Sequence, residues 1–344
     1  MIETMNDYGK IIEQIKRNQP TALKTTFHGT EGSIAENVTR EFVKAEPTAD
    51  SRGRLSTRLT VETEGDVITV TEPIMPPERL IILGGGHVAL PVSEIGAKCG
   101  FTVCVADDRP EFANYQRFPM AETVICGSFE NAIQNFAVTP FDYVVVITRG
   151  HRSDADCLRA ILPGTQPAYL GMIGSKRRVK ALLELLAEEG FDREKLSHIC
   201  TPIGLNIGAV TPNEIAVSIM AEIISYRRLP EYASGSRFCN DSDVEIPVLA
   251  YLAENTEPKA IVTVLETKGS TPRGAGAKMA VSPLGKTTGS IGGGCSEAAV
   301  IRKAVKLIGT GRYLLNRIDM TGDVAENDGM VCGGIMQVLI EDAS

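Results

Sequence analysis

Between residues 79 and 228 short apolar runs alternate with amphipathic stretches, the rhythm of strands interleaved with helices. Arg79-Leu-Ile-Ile-Leu83 is apolar without alternation, as a strand covered on both faces requires. Phe101-Thr-Val-Cys-Val-Ala106, Glu122-Thr-Val-Ile-Cys126, Tyr143-Val-Val-Val-Ile-Thr148 and Ala168-Tyr-Leu-Gly-Met-Ile173 read as further strands. A helix is predicted from Val88 to Cys99, stopped by Gly100. In a second helix Val179, Leu182, Leu183 and Leu186 fall on one face; Ser175 can cap its start and Gly190 stops it. A third opens on the capping box Thr211-Pro212-Asn213-Glu214, buries Ala216, Ile219, Met220 and Ile223, and ends at Arg227-Arg228. The pattern predicts an α/β fold, a Rossmann-like parallel sheet over residues 78–230.

Loop-like residues 229–244 then separate a smaller α/β domain, residues 245–344. It shows a strand at Ala260-Ile-Val-Thr-Val-Leu265, a helix burying Ile301, Ala304, Val305 and Ile308, and a strand at Ile335-Met-Gln-Val-Leu-Ile340. Residues 1–77 form a separate N-terminal segment of helix and strand character.

Composition narrows the function classes. A length of 344 residues fits two domains and a remainder, and the net charge of −8 without Lys/Arg runs argues against nucleic acid or an anionic membrane as partner. No apolar run reaches the roughly 18 residues of a membrane span, and the N-terminus lacks a signal-peptide pattern, so a cytoplasmic protein is expected. Cys99, Cys104, Cys126, Cys157, Cys200 and Cys239 read mainly as small buried hydrophobes. With no Cys-x-x-Cys pair, neither a disulfide frame nor a zinc ribbon is supported, and no metal site made of protein ligands alone is expected.

Candidate chemistry gathers in glycine-rich loops. Gly84-Gly85-Gly86-His87-Val88-Ala89 satisfies G-x-G-x-x-A between strand and helix, and Asp107-Asp108 lie where a dinucleotide fold places its ribose ligand. Thr148-Arg149-Gly150-His151 follows the fourth strand, where open α/β sheets bind ligands; His151 reads first as a positioning donor and second as an acid–base group. Ser175, Lys176 and Arg177 at a helix start make either a solvated basic patch or a phosphate site. Beyond the boundary, Glu266-Thr-Lys-Gly-Ser-Thr-Pro-Arg273 continues to Lys278 with glycines and cations suited to an anion, the alternative being a flexible hairpin loop. Gly292-Gly293-Gly294-Cys295-Ser296-Glu297 opens a helix at whose N-terminus a thiolate is favoured, and Cys332 stands before Gly333-Gly334. No Ser/His/Asp set, carboxylate pair or metal-ligand cluster is evident, so a binding protein is expected ahead of an enzyme. The competing reading is an NAD(P)-dependent oxidoreductase that uses the Rossmann site with His151 or Cys295.

Together these segments, with Gly171-Met-Ile-Gly-Ser175, Pro202-Ile-Gly-Leu-Asn-Ile-Gly208 and Val331-Cys-Gly-Gly334, resemble the XdhC/CoxI family, maturation factors of xanthine-dehydrogenase-type molybdenum hydroxylases. The resemblance covers residues 79–228 and 245–342. It implies binding of molybdenum cofactor (molybdopterin), help with its sulfuration through Cys295 and Cys332, and delivery to an apo molybdenum hydroxylase. A cysteine desulfurase as sulfur donor fits the same picture, and base rates favour a homodimer. Members of the family usually carry the cysteine-bearing domain before the Rossmann domain; here it follows. Gly32-Ser-Ile-Ala-Glu36, read as preceding a helix, loosely echoes Gly289–Glu297, as Gly53-Arg54-Leu55 echoes Gly311-Arg312-Tyr313 and Val67–Glu72 echoes Met336–Glu341. Residues 1–77 are therefore expected to be either a degenerate copy of the cysteine-bearing domain or an unrelated cap.

Overall fold

The computed structural model describes residues 6–17, 19–30, 32–45, 48–49, 55–229, 239–240, 242–320 and 334–344, without the side chains of residues 35, 36, 48, 49, 55, 56, 151, 239, 240, 295 and 296. Residues 1–76 and 238–344 make one compact unit and residues 77–237 another.

The chain opens on helix α1 (Asp7–Lys16), capped by the Asn6 side chain, which accepts from the Gly9 amide at 2.8 Å. Strands β1 (Thr21–His28), β2 (Ile34–Lys44), β3 (Thr48–Ala49), β4 (Leu55–Thr57), β5 (Thr60–Glu64) and β6 (Val67–Ile74) follow. The helix expected after Gly32-Ser33 is not formed: that stretch enters β2, where Val38, Thr39, Phe42 and Val43 favour a pleated surface. Gly53 and Arg54 lie outside the described residues.

The second unit takes the predicted doubly wound form. Strands β7 (Arg79–Leu83), β8 (Thr102–Asp107), β9 (Thr123–Cys126), β10 (Tyr143–Val146) and β11 (Tyr169–Met172) make a parallel sheet in the order β11-β10-β7-β8-β9. Helices α2 (Ala89–Lys98), α3 (Phe129–Phe136), α4 (His151–Ile161), α5 (Lys176–Glu188), α6 (Arg193–Ser197) and α7 (Pro212–Arg228) surround it. Ile81 and Leu83 face a core with α3, α4 and α5, while Leu80 and Ile82 face one with α2 and α7. That two-sided cover explains why β7 reads apolar throughout. Residues 108–122 join β8 to β9 through turns, without a helix. Ser175 sits at the N-cap of α5, but its side chain makes no capping bond there. The capping box of α7 forms as read, with Thr211 and Glu214 bonding each other's amides.

The chain then returns to the first unit through β12 (Cys239–Asn240), α8 (Ile246–Glu254), β13 (Ala260–Lys268), β14 (Lys278–Val281), β15 (Thr287–Gly289), α9 (Gly294–Leu307), β16 (Tyr313–Asp319) and β17 (Ile335–Asp342). These strands do not close on themselves: β16 pairs with β2, giving one nine-stranded sheet ordered β15-β14-β13-β17-β16-β2-β1-β6-β5. Every pairing within it is antiparallel. The buried line of α9 runs through Val300, Ala304 and Leu307, one step round from the face the sequence suggests, with Ile301, Val305 and Ile308 at its margin. No helix among the described residues is long and apolar enough to cross a membrane.

Candidate functional site

In the parallel unit the predicted residues gather at the carboxyl edge of the sheet, where the strand order reverses between β7 and β10. Gly84 follows β7 with φ +111°, and a Cβ there would stand 2.5 Å from the Ile147 carbonyl oxygen, so only glycine lets the turn pass so close to β10. The Gly85 amide donates to Asp107 Oδ2 at 2.8 Å. Asp107, expected at a ribose, is instead buried and also accepts from the amide, Nε and Nη2 of Arg109 at 3.0, 2.8 and 2.9 Å. Burial works to raise this carboxyl, but the bonds from Arg109 and the Gly85 amide outweigh it and hold Asp107 below the ordinary carboxylate range.

The segment after β8 covers the glycine turn. A Cβ on Gly85 would meet the Phe112 carbonyl oxygen at 2.0 Å, and Arg117 donates from Nε to Gly85 O (3.0 Å) and from Nη2 to Gly86 O (3.2 Å). Gly86 faces open space and His87 is exposed. Asp108, more than a third exposed, pairs with Arg149 Nη2 at 3.0 Å, bridging the ends of β8 and β10. Thr148 donates from Oγ1 to Asp154 Oδ1 at 2.6 Å, pinning the first turn of α4, which starts at His151. The His151 side chain is outside the described set. Lys176 and Arg177 are exposed in the first turn of α5. Arg177 joins Arg152, Arg159, Arg178, Leu182 and Leu185 around a cavity of about 770 Å³ between α4 and α5.

In the other unit three motif segments meet at one end of the sheet. Gly292 (φ +132°) leaves no room for a side chain, since a Cβ would fall 2.1 Å from Cγ of Pro272 in the β13–β14 loop. Gly334, which follows Cys332 and Gly333, lies against the same loop: a Cβ there would be 2.5 Å from the Ser270 carbonyl oxygen. Cys332 itself is outside the described residues, and Cys295 is placed by its backbone as the second residue of α9.

The inner side of this glycine turn already holds an anion from the chain. Glu297 Oε2 accepts from Ser290 Oγ at 2.7 Å, Ile291 N at 3.0 Å and Gly293 N at 2.9 Å. Among the described residues nothing lies within 4 Å of a Cβ placed on Gly293 or Gly294. The two cations expected to bind an anion here are committed elsewhere. Arg273 grips Asp243 (Nε–Oδ2 2.7 Å) and Glu245 (Nη1–Oε2 3.0 Å). Lys278 is 2% exposed and donates to Thr263 Oγ1 at 2.8 Å, with Glu72 Oε2 at 3.0 Å. Both cations thus bind carboxylates of the chain itself. Asp243, Glu245 and Glu72 are the residues the sequence reading missed; their separation from Arg273 and Lys278 left no local signal.

The cysteines also differ from expectation. Cys104 and Cys157 are buried, Cys99 and Cys200 are half-buried, and Cys126 is exposed at the end of edge strand β9. Burial pushes the Cys104 thiol up to about 11 and the Cys157 thiol well above its usual value, so neither supplies a thiolate at neutral pH. Among the described residues no group of three His, Cys, Asp or Glu side chains is placed to hold a metal ion.

The chain is 36% identical over 155 residues to a Bacillus subtilis protein named as a probable xanthine dehydrogenase subunit, covering 45% of this chain and 44% of that protein. It is 35% identical over 151 residues to the uncharacterized protein YqeB of Escherichia coli, covering 43% of this chain and 27% of the relative. The chain thus spans less than half the length of these curated relatives. A crystal structure described as a xanthine dehydrogenase from Bacillus halodurans matches with a TM-score of 0.49 at 25% identity, over 63% of this chain and 62% of that one. Residues 80–223 match the family described as XdhC Rossmann domain, and residues 252–319 match the one described as XdhC and CoxI family. These two stretches make up more than half of the sequence and hold both glycine turns and Cys295, and the chain belongs to the XdhC and CoxI family.

Proposed function

We propose that this protein is an accessory factor for a xanthine-dehydrogenase-type molybdenum hydroxylase: it binds molybdenum cofactor, assists its sulfuration and delivers it to the apo-enzyme. Family membership and the Bacillus subtilis relative, with its xanthine dehydrogenase name, support the hydroxylase as client. The observation that carries the cofactor reading is the meeting of the β13–β14 loop, the Gly292–Glu297 turn and the Gly334 backbone, with nothing among the described residues within 4 Å of a Cβ on Gly293 or Gly294.

The residues at this end suit such a group. When bound, molybdenum cofactor supplies an anionic phosphate and a metal that accepts soft sulfur ligands. Glu297 holds the turn in shape by accepting from the Ile291 and Gly293 amides, and the N-terminus of a helix favours an anion. A cysteine at the second helical position is eased toward its thiolate by the helix dipole, which suits Cys295 to hold the cofactor or its sulfur. Cys332 is the second thiol in this proposal, and a cysteine desulfurase is the sulfur donor it would require. The parallel unit offers a second contact surface through Gly86, His87, Asp108, Arg149, His151, Ser175, Lys176 and Arg177.

An NAD(P)-dependent oxidoreductase is the competing reading, favoured by the strand order and the open Gly86. Against it stand the commitment of Asp107 to the glycine turn and the cover of Gly85 by Phe112. The deciding experiment is mass and metal analysis of protein purified from cells that make molybdenum cofactor. Retained molybdopterin is expected, with at least tenfold less in Cys295→Ala. Undiminished retention and client maturation in the Cys295→Ala/Cys332→Ala variant would remove the cysteine assignment. A nicotinamide nucleotide in place of the pterin would replace the reading altogether.

A further inference from the structure

The sheet of the first unit contains the same arrangement twice. Strands β2-β1-β6-β5 and β14-β13-β17-β16 stand in the same order, all antiparallel, each group preceded in sequence by a helix, α1 or α8. The registers coincide as well. Leu23 pairs with Glu72 and, two residues on, Thr25 pairs with Arg40 and Val70. In the other group Ile261 pairs with Glu341, and two residues on Thr263 pairs with Lys278 and Leu339. Val61 opposite Val70 is matched by Leu315 opposite Leu339. Glu72 thus corresponds to Glu341, and Arg40 to Lys278.

Those four residues make reciprocal contacts. Arg40 Nη2 lies 2.7 Å from Glu341 Oε2, and Lys278 Nζ lies 3.0 Å from Glu72 Oε2. Each group gives its cation to the other group's carboxylate. Such exchange, residue i on j and j on i, is the signature of an isologous interface between two copies of one fold. The helices join in the same way: Tyr8, Ile11 and Ile15 of α1 share one core with Val248, Leu249 and Leu252 of α8.

The copies differ on the outer face. Val262, Val264, Met279, Val338 and Ile340 belong to the core that α9 covers. Their counterparts by register are Lys24, Thr26, Glu41, Thr69 and Thr71, with Lys24 paired to Glu41 at 3.0 Å and Thr26 bonded to Thr69 at 3.4 Å. No helix corresponding to α9 is described between β2 and β5, and the exposed face has polar residues where its absence demands them.

We infer that residues 6–76 are a second copy of the C-terminal fold, stripped of the α9 helix and its cysteine turn and retained as that fold's built-in partner. The cysteine-bearing half therefore has its pairing surface filled from within the chain, one Cys295 turn to two copies of the fold. Its partner at this surface is a second copy of the same fold, and a different protein docking there would have to displace β2, Arg40 and Glu72.

The test uses the full chain. Arg40→Glu with Glu72→Lys brings like charges together at both crossings and is expected to lower Tm by more than 10 °C or to abolish soluble protein. Adding Lys278→Glu and Glu341→Arg inverts both copies and is expected to recover at least half of that loss. Neutral variants guard against misfolding of the charged ones. Double-mutant cycles on Arg40→Met with Glu341→Gln, and on Lys278→Met with Glu72→Gln, are expected to show couplings equal within about twofold, as equivalent sites require. No recovery in the fourfold variant, or coupling at one crossing and none at the other, overturns the inference.

Discussion

Three donors converge on one carboxylate oxygen at Glu297, and a hydroxyl and two amides of a glycine-rich turn lose their freedom together. Hydrogen bonds to a charged acceptor contribute roughly 1.5–3 kcal/mol, so Glu297→Ala is expected to cost about 2–3 kcal/mol in denaturant unfolding. Glu297→Gln keeps an acceptor and should lose about half as much. Asp107 does similar work in the parallel unit, and its lowered pKa gives a sign to the pH dependence. A carboxylate favoured in the folded state contributes stability above its unfolded pKa of about 3.9, which is lost as pH falls through the lower folded value. Urea midpoints at pH 7 and pH 3 should therefore differ less for Asp107→Asn than for the unsubstituted protein, with the variant less stable at pH 7. Neither role was legible beforehand. The sequence placed Asp107 and Glu297 beside glycine turns, where an external anion or ribose and an internal clip look alike. Only the distances to Gly85 and Gly293 separate them.

At the scale of the elements, the β7–α2 turn offers a sharper contrast. Gly85 and Gly86 are neighbours in the same motif, yet a Cβ on Gly85 would overlap the Phe112 carbonyl oxygen while one on Gly86 would meet nothing within 4 Å. Gly85→Ala should loosen the 108–122 segment, seen as a lowered Tm and faster proteolysis within it. Gly86→Ala should leave Tm within about 1 °C, since the added methyl meets nothing within 4 Å. Of these two glycines only Gly86 has room beside it for a ligand, so titration of that variant separates binding from folding. The strands of this unit and the helices α2, α5 and α7 were legible because burial on both sheet faces leaves unbroken apolar runs and helix faces repeat every 3.6 residues, whereas α3 and α4 were not read. The path of the β8–β9 connection was not legible: residues 108–122 hold their place through Arg109, Phe112 and Arg117 contacts around the turn, which carry no period.

For the whole molecule, the order of folding units differs from the order along the chain. Neighbouring strands β2 and β16 come from opposite ends of the sequence, and the 77–237 unit lies between them in the chain. No local pattern announces such a pairing, because alternation fixes which face of a strand is buried but not which distant strand lies beside it. Each unit nevertheless has its own core, with Ile82 wholly buried in one and Ile340 wholly buried in the other. Truncating a buried isoleucine to alanine costs about 2–5 kcal/mol, which for units of this size corresponds to a Tm shift of roughly 4–20 °C. Scanning calorimetry is expected to resolve two transitions. Ile82→Ala should lower one of them by that amount and leave the other within about 1 °C, and Ile340→Ala should do the reverse. The Ile340 transition should also be the one that moves in Arg40→Met and Lys278→Met, since those cations lie in the first unit. A single transition shifted by both isoleucine variants would mean that the units melt as one body, and that the split into separate cores has no thermodynamic counterpart.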